Sequence, residues 1–356
     1  MVQTSFKNQA MNALIRILVL GLIILCGSFI YLKSSDLKSA QISLKSVFQS
    51  NTNNGSCHTP HAIKLDSADR NLQYTPTSPG IFFVETSERM VLPSLAACSI
   101  ESAARTYPNR PVYFLMKGLS EDTSIQLKSD YRVISLLSSM KNVHILPLRF
   151  EALFQDTPLQ SWYQKVDPDM QRYWTHHVSD ACRQALLWKY GGIYMDTDVI
   201  SIKPIPVEDF LAAESSTLCS SAVLGFQWHH PFIWACMEDY VKNYNGDIWI
   251  QQGPMLYTRM AERFCKMPNF ELVGDAMCSN FLYLQPRRFF PIPFDKWLQY
   301  FEIWDKNDNI FNISYALHFW NYMNKEHKEV TAGSNTVAEH LFKQYCPLTY
   351  DVFVKN

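Results

Sequence analysis

Ile81-Phe82-Phe83-Val84 is an unbroken apolar run between Gly80 and the polar Glu85-Thr86-Ser87, a pattern that predicts a short strand buried on both faces. Val112 to Met116 and Val143 to Leu146 repeat it. Between the first two runs Leu92, Leu95, Ala96, Ser99, Ile100 and Ala103 recur at intervals of three and four, which predicts a helix ended by Pro108 and Pro111. A second helix-compatible run lies near Ile134 to Met140. Strand and helix alternate, so the expectation is an α/β domain with a parallel sheet. A further helix is predicted over Asp180 to Tyr190, stopped by Gly191-Gly192, with a strand Ile193-Tyr194-Met195 directly after it.

The N-terminal region differs in kind. Ile17 to Leu32 is apolar and uncharged between Arg16 and Lys33, which predicts a membrane signal-anchor. Sixteen residues rise about 24 Å, short of a roughly 27 Å hydrocarbon layer unless Arg16 and Lys33 snorkel. Cys26-Gly27-Ser28 also permits a cleaved signal peptide. The expected organisation is a cytoplasmic tail over 1–16, the anchor over 17–32, a polar stem over 33–79 and a lumenal domain over 80–356. Two glycosylation sequons, at Asn54 and Asn312, and eight of nine cysteines lie beyond the apolar run. Both features favour a lumenal body with some disulfides, whose pairing the spacing does not select.

Charge removes one class of function. With 32 basic and 33 acidic side chains there is no net field to gather nucleic acid, and no Rossmann or P-loop glycine motif is present. Aromatic residues make up 14% of the chain, which suits either a bulky core or stacking on sugar and uracil rings.

Asp196-Thr197-Asp198 is the sharpest chemical signal, because a buried strand precedes it and the apolar Val199-Ile200 follows. Two carboxylates pinned at the carboxyl end of a strand repel unless a cation offsets them, and Mg²⁺ or Mn²⁺ prefers such oxygen ligands. Asp180 and Arg183, spaced by three, read either as a surface ion pair or as groups for a sugar hydroxyl and a phosphate. Trp249-Ile250-Gln251-Gln252-Gly253-Pro254 joins an aromatic ring, two amides and a Gly-Pro turn, and His318 sits among apolar neighbours as a core histidine or a third metal ligand.

Ser179-Asp180 through Arg183, Leu187 to Asp198, Tyr244-Asn245-Gly246 with Ile248-Trp249, Gln252-Gly253-Pro254, Phe290-Pro291-Ile292 and Tyr315 to His318 with Trp320-Asn321 together resemble the α-1,4-glycosyltransferase family (glycosyltransferase family 32). Phe83 to Met90, Asp156 to Leu159 with Ser161-Trp162-Tyr163, and Asp196 to Ile202 look closest to its N-acetylglucosaminyl-transferring branch. The resemblance implies a GT-A fold with a Rossmann-like mixed sheet, a type II Golgi membrane topology, UDP-GlcNAc as donor and a β-galactose-ended O-glycan as acceptor. A galactosyl- or N-acetylgalactosaminyltransferase acting on lactosylceramide-type glycolipid is the alternative. It further implies Asp196, Asp198 and His318 as ligands of Mn²⁺ or Mg²⁺, and Asp180, Arg183, Tyr194, Phe83, Glu85 and Thr86 as donor-site residues. Trp249 and Gly253 are implied at the acceptor, and Asp198 with Gln252 or Gln251 at the reacting centre. Gln251 and Met255 depart from the family pattern beside the Gln-Gly-Pro motif, which leaves acceptor choice open.

Overall fold

The computed structural model describes residues 79–119, 131–304 and 309–355. The anchor, nearly all of the stem, and Asn54 lie outside them. Among the described residues no helix is long and apolar enough to cross a membrane.

Three strands form on the apolar runs: β1 (Gly80–Glu85), β2 (Val112–Met116) and β3 (Val143–Pro147). After them come β4 (Gly192–Met195), β5 (Val199–Ser201), β6 (Phe210–Ala213), β7 (Cys219–Phe226), β8 (Ala276–Cys278), β9 (Phe281–Leu284) and β10 (Ala316–His318). Eight of them make one sheet in the order β3-β2-β1-β4-β7-β6-β9-β8, and β10 pairs with β5 in a separate two-stranded sheet. Parallel pairing holds from β3 through β2 and β1 to β4. Beyond β4 the expectation of a parallel sheet is corrected, because β7 runs antiparallel to β4 and to β6. Only residues 214–218 join β6 to β7, and Glu214 N already bonds Leu218 O at 2.8 Å. That connection is a turn, too short for the crossover a parallel pair requires.

Helices cover both faces. They are α1 (Ser94–Thr106), α2 (Arg132–Ser138), α3 (Phe150–Phe154), α4 (Pro158–Tyr163), α5 (Trp174–Tyr190), α6 (Pro231–Lys242), α7 (Pro254–Ala261) and α8 (Val337–Tyr345). Along β1 the side chains alternate: Ile81 and Phe83 pack in one core with α1, α2 and α8, while Phe82 and Val84 join a second with α5, α6 and α7. Burial on both faces explains why the strand reads as a continuous apolar run.

Helix α5 corrects a boundary. It begins at Trp174, six residues before Asp180, so Asp180 and Arg183 sit mid-helix and are each only 5% exposed, not an exposed pair at its N-terminus. Its first turns carry Thr175, His176, His177 and Ser179, and those polar residues hid the helical period. Gly191 ends the helix at φ +64°, and Gly192 follows at φ +111°, where an added Cβ would strike Gly80 O of β1. Glycine at both places lets β4 enter directly beside β1.

The C-terminus is tied back onto α1. A disulfide joins Cys98 to Cys346, and buried Glu101 accepts from Leu348 N, Thr349 N and Thr349 Oγ1 at 2.7 to 3.0 Å. A second disulfide joins Cys265 to Cys278, and Cys182, Cys219 and Cys236 are buried thiols. Glu339 on α8, fully buried, accepts from Asn335 N at 2.6 Å, Tyr350 OH at 2.8 Å and Lys343 Nζ at 2.9 Å. Burial alone would raise this carboxyl, but Lys343, Tyr350 and the Gly333 and Asn335 amides together hold it down to about 2. A depressed carboxyl contributes stability above its ordinary value of 4.5 and loses it as pH falls toward 2. Glu339→Gln is therefore expected to cost about 2 kcal/mol at neutral pH and to flatten the acid limb of a urea-melt series run from pH 6 to about 3. An unchanged acid limb would show that this carboxylate is not among the groups that set it.

Candidate active site

β4 stops at Met195 and the acidic tripeptide occupies the turn that follows. Asp196 N donates to Ala222 O of β7 at 2.9 Å, and Val199 N closes the turn onto Asp196 O at 3.1 Å. β5 then pairs antiparallel with β10 in a register that sets His318 opposite Val199, and Phe319 N bonds Asp198 O at 2.9 Å. A histidine distant in sequence thereby reaches the acids, with His318 Nε2 3.4 Å from Asp198 Oδ1. Asp196, Asp198 and His318 each offer one ligand atom, all within 4.8 Å of one another. Two carboxylates and an imidazole fit a divalent cation of the Mn²⁺ or Mg²⁺ kind, with coordination positions left for substrate oxygens. Asn321 N holds Asp198 Oδ2 at 2.9 Å, which fixes the carboxylate's orientation.

Behind the acids lies a buried charge network. Arg183 is 3.3 Å from Asp196 and 3.4 Å from Asp180, its guanidinium also donates to Ser221 O and Ser179 Oγ, and it lies 4.6 Å from the Tyr194 ring centroid. Tyr194 OH donates to Asp196 Oδ1 at 2.7 Å. Burial pushes the Asp196 carboxyl up against the pull of Arg183, and the neighbouring Asp198 charge adds to the rise. Asp180 is pushed up to about 7 by burial, with Arg183 opposing and Asp196 adding. Arg183 itself is raised: burial disfavours its charge, but Asp196, Tyr194 and Asp180 outweigh that. With its donors engaged by protein, Arg183 is placed to hold Asp196 and Asp180 rather than to meet a phosphate directly.

The other expected residues are spread from the network to the core and the surface. Gly253, at the start of α7, lies against Asp180: an added Cβ would stand 2.7 Å from Ser221 Oγ and 2.8 Å from Asp180 Oδ1. Gln252 is fully buried, donates to Tyr240 O at 2.8 Å, and leaves its Oε1 without a partner, whereas Gln251 donates to Asn243 O at 3.2 Å. Of the two amides, only Gln252 thus carries a free buried acceptor atom. At the end of β1, Glu85 is bound by Arg89 and by Ser87 N and Oγ, and Thr86 Oγ1 donates to Thr175 O of α5 at 2.9 Å. These contacts shape the loop after β1 and fasten it to α5. Phe83 has no exposed surface and packs in the core, so its side chain cannot touch a donor from there. Trp249 is half-exposed, and Asn312 is exposed in a turn whose Ser314 is buried.

A separate cavity of about 300 Å³, lined by Glu88, Lys117, Arg149 and Phe150 among others, sits beyond the ends of β1, β2 and β3 and contains none of the cluster residues. Sequence reading overlooked Asn321 N, Ser179, Ser221 and Tyr257, whose buried hydroxyl has no partner. Backbone amides and hydroxyls carry no pattern in a single sequence, although Ser179 and Asn321 both lie within motifs that carry the family resemblance.

Residues 93–217 match the family described as a glycosyltransferase sugar-binding region containing a DXD motif, and residues 225–353 match the α-1,4-glycosyltransferase conserved region. Human α-1,4-N-acetylglucosaminyltransferase is 51% identical over 277 residues, covering 78% of this chain and 81% of the relative. Mouse lactosylceramide 4-α-galactosyltransferase is 41% identical over 279 residues, covering 77% of this chain and 76% of its own. Among solved structures, PaToxG glycosyltransferase matches at 18% identity and a TM-score of 0.41, covering 52% of this chain and 68% of that one. The acidic turn lies within the DXD-motif match, and each of the two relatives aligns with more than three quarters of the chain. This chain is an enzyme that transfers sugars and belongs to the α-1,4-glycosyltransferase family.

Proposed function

We propose that the chain transfers N-acetylglucosamine from UDP-GlcNAc, in α-1,4 linkage and with retained configuration, to β-galactose ends of mucin-type O-glycans. The 51% identity to the human α-1,4-N-acetylglucosaminyltransferase carries this reading. The second reading, α-1,4-galactosyl or N-acetylgalactosaminyl transfer to lactosylceramide-type glycolipid, draws on the 41% identity to the mouse galactosyltransferase. Either reading places the protein as a single-pass type II protein of the Golgi membrane, with its catalytic GT-A domain lumenal, no nucleic-acid partner, and Asn54 and Asn312 glycosylated.

Asp196, Asp198 and His318 would hold Mn²⁺, the imidazole favouring it over Mg²⁺. A cation there supplies positive charge to the diphosphate oxygens as UDP departs. Arg183 and Tyr194 keep Asp196 oriented, and Gly253, where any side chain would strike Ser221 and Asp180, lets the Gln-Gly-Pro turn close against Asp180. Gln252, fully buried and with its Oε1 unpartnered, would position the turn at the reacting centre rather than touch the sugar. In a front-face displacement the acceptor oxygen bonds C1 of the sugar while the bond from C1 to the phosphate oxygen breaks. The hydroxyl proton passes to that leaving oxygen, so no enzyme carboxylate becomes glycosylated.

Full-length protein offered UDP-GlcNAc, UDP-Gal and UDP-GalNAc with a β-galactoside, with and without Mn²⁺, is expected to release UDP fastest from UDP-GlcNAc and only with metal. Selective Gal or GalNAc transfer would install the second reading, and trapping of a glycosyl-enzyme would exclude the front-face route.

A further inference from the structure

Beside the carboxylate cluster Trp249, expected at the acceptor, belongs to an aromatic group whose other members have no role so far. Trp249 and Tyr322 stack with ring centroids 4.1 Å apart and planes 18° apart. His176 stands edge-on to both, 6.0 Å from Trp249 and 5.6 Å from Tyr322. Lys325 Nζ lies 3.4 Å from the Tyr322 centroid, and because Trp249 already covers one face of Tyr322, Lys325 covers the other. Trp249 forms the other end of this stack, and 36% of its surface is exposed.

Three ties seat this group against the site. Asn321, the residue before Tyr322, donates to Asp198 Oδ2. His177 on α5 bonds Ile248 O at 3.1 Å, which anchors the loop that carries Trp249. His176, Asp180 and Arg183 follow one another at four and three residues, so one face of α5 runs from the aromatic rings to the charge network. Exposed Ile248 and Met323 extend the apolar surface, and a contiguous exposed apolar patch rimmed by polar groups marks a ligand surface.

We propose that the exposed surface of Trp249 binds the acceptor sugar, with Tyr322, His176 and Lys325 holding that ring in place; the inference rests on the transferase reading above and adds which face of the acceptor is held. β-Galactopyranose presents C3–H, C4–H and C5–H on one face and its axial 4-hydroxyl on the other. The electron-rich face of an indole attracts the polarised C–H face. Stacked so, the sugar turns its 4-hydroxyl away from Trp249 and leaves it free to attack. A β-glucoside, with an equatorial 4-hydroxyl, offers a less continuous C–H face.

Saturation-transfer NMR of the full-length protein with methyl β-galactoside and methyl β-glucoside, without donor, reads the contact directly. The galactoside is expected to receive most saturation at H3, H4 and H5, to lose it in Trp249→Ala, and to exceed the glucoside several-fold. In steady-state assays Tyr322→Ala should raise acceptor KM about ten-fold with the effect on KM rather than kcat, and Tyr322→Phe should restore KM to within about two-fold. Saturation spread evenly over the sugar, equal signals from both epimers, or a Tyr322→Phe variant as impaired as Tyr322→Ala would overturn the platform. Donor turnover by a protein that fails the NMR test leaves the transferase reading standing alone. Galactoside binding of the expected pattern without turnover of any donor sinks the transferase reading and keeps the platform.

Discussion

Asp198→Asn is expected to lower UDP release from the preferred donor by about 10³-fold, because charge stabilisation by a bound cation is worth several kcal/mol and each 1.4 kcal/mol is ten-fold in rate. The same substitution should leave the melting temperature unchanged or raise it. Asp198 stands with Asp196 in a half-buried turn where the like charges work against folding, and the asparagine oxygen can still accept from Asn321 N. Loss of activity without loss of stability separates a functional acid from a structural one. Activity within ten-fold of wild type, measured at saturating Mn²⁺, would remove Asp198 from the centre of the mechanism. Calorimetric Mn²⁺ titration of the same variant gives an independent reading, with affinity expected to fall at least about ten-fold.

Replacing both Cys98 and Cys346 with alanine should be the most destabilising change among the described cysteines. The bridge closes a loop of 248 residues, for which the chain-entropy relation gives about 5.5 kcal/mol as an upper figure. The tie is reinforced by Glu101, whose buried carboxylate meets the two backbone amides of Leu348 and Thr349 and the side chain of Arg105. Because those contacts survive, a loss of about 3 kcal/mol, or roughly 10 °C in melting temperature, is the expected result. The bridge between Cys265 and Cys278 spans only 13 residues and should cost less when removed. A double variant at Cys98 and Cys346 that melts within about 2 °C of wild type would show that Glu101 and the packing of α8 suffice.

Much of the fold could be read along the chain because local physics set it. β1, β2 and β3 fall on unbroken apolar runs, and the Gly191-Gly192 stop is where α5 ends. α1 runs from Ser94 and leaves Leu92 just before it, and α2 covers Arg132–Ser138, slightly ahead of the expected Ile134 to Met140. Periodicity failed where polar residues face inward. The first turns of α5 hold His177, fully buried and bonded to Ile248 O, so the hydrophobic pattern that marks a helix is broken by groups that serve the site. The reversal of the sheet beyond β4 was likewise invisible, since β7 is buried along its whole length and an apolar strand reads the same in either direction.

Residue chemistry and local spacing determined by themselves that this chain holds a strand, an acidic turn and the motifs of a sugar-transferring family, because strand propensity, a glycine stop and adjacent carboxylates act within a dozen residues. Only the tertiary structure decided what surrounds those acids. His318 comes from 120 residues away through the pairing of β10 with β5, and Arg183 turns inward because α5 is packed on the sheet. Tyr322 meets Trp249 because Asn321 is pinned to Asp198 and His177 to Ile248. Such contacts depend on register and packing between distant segments, and one sequence records the partners without the geometry that joins them.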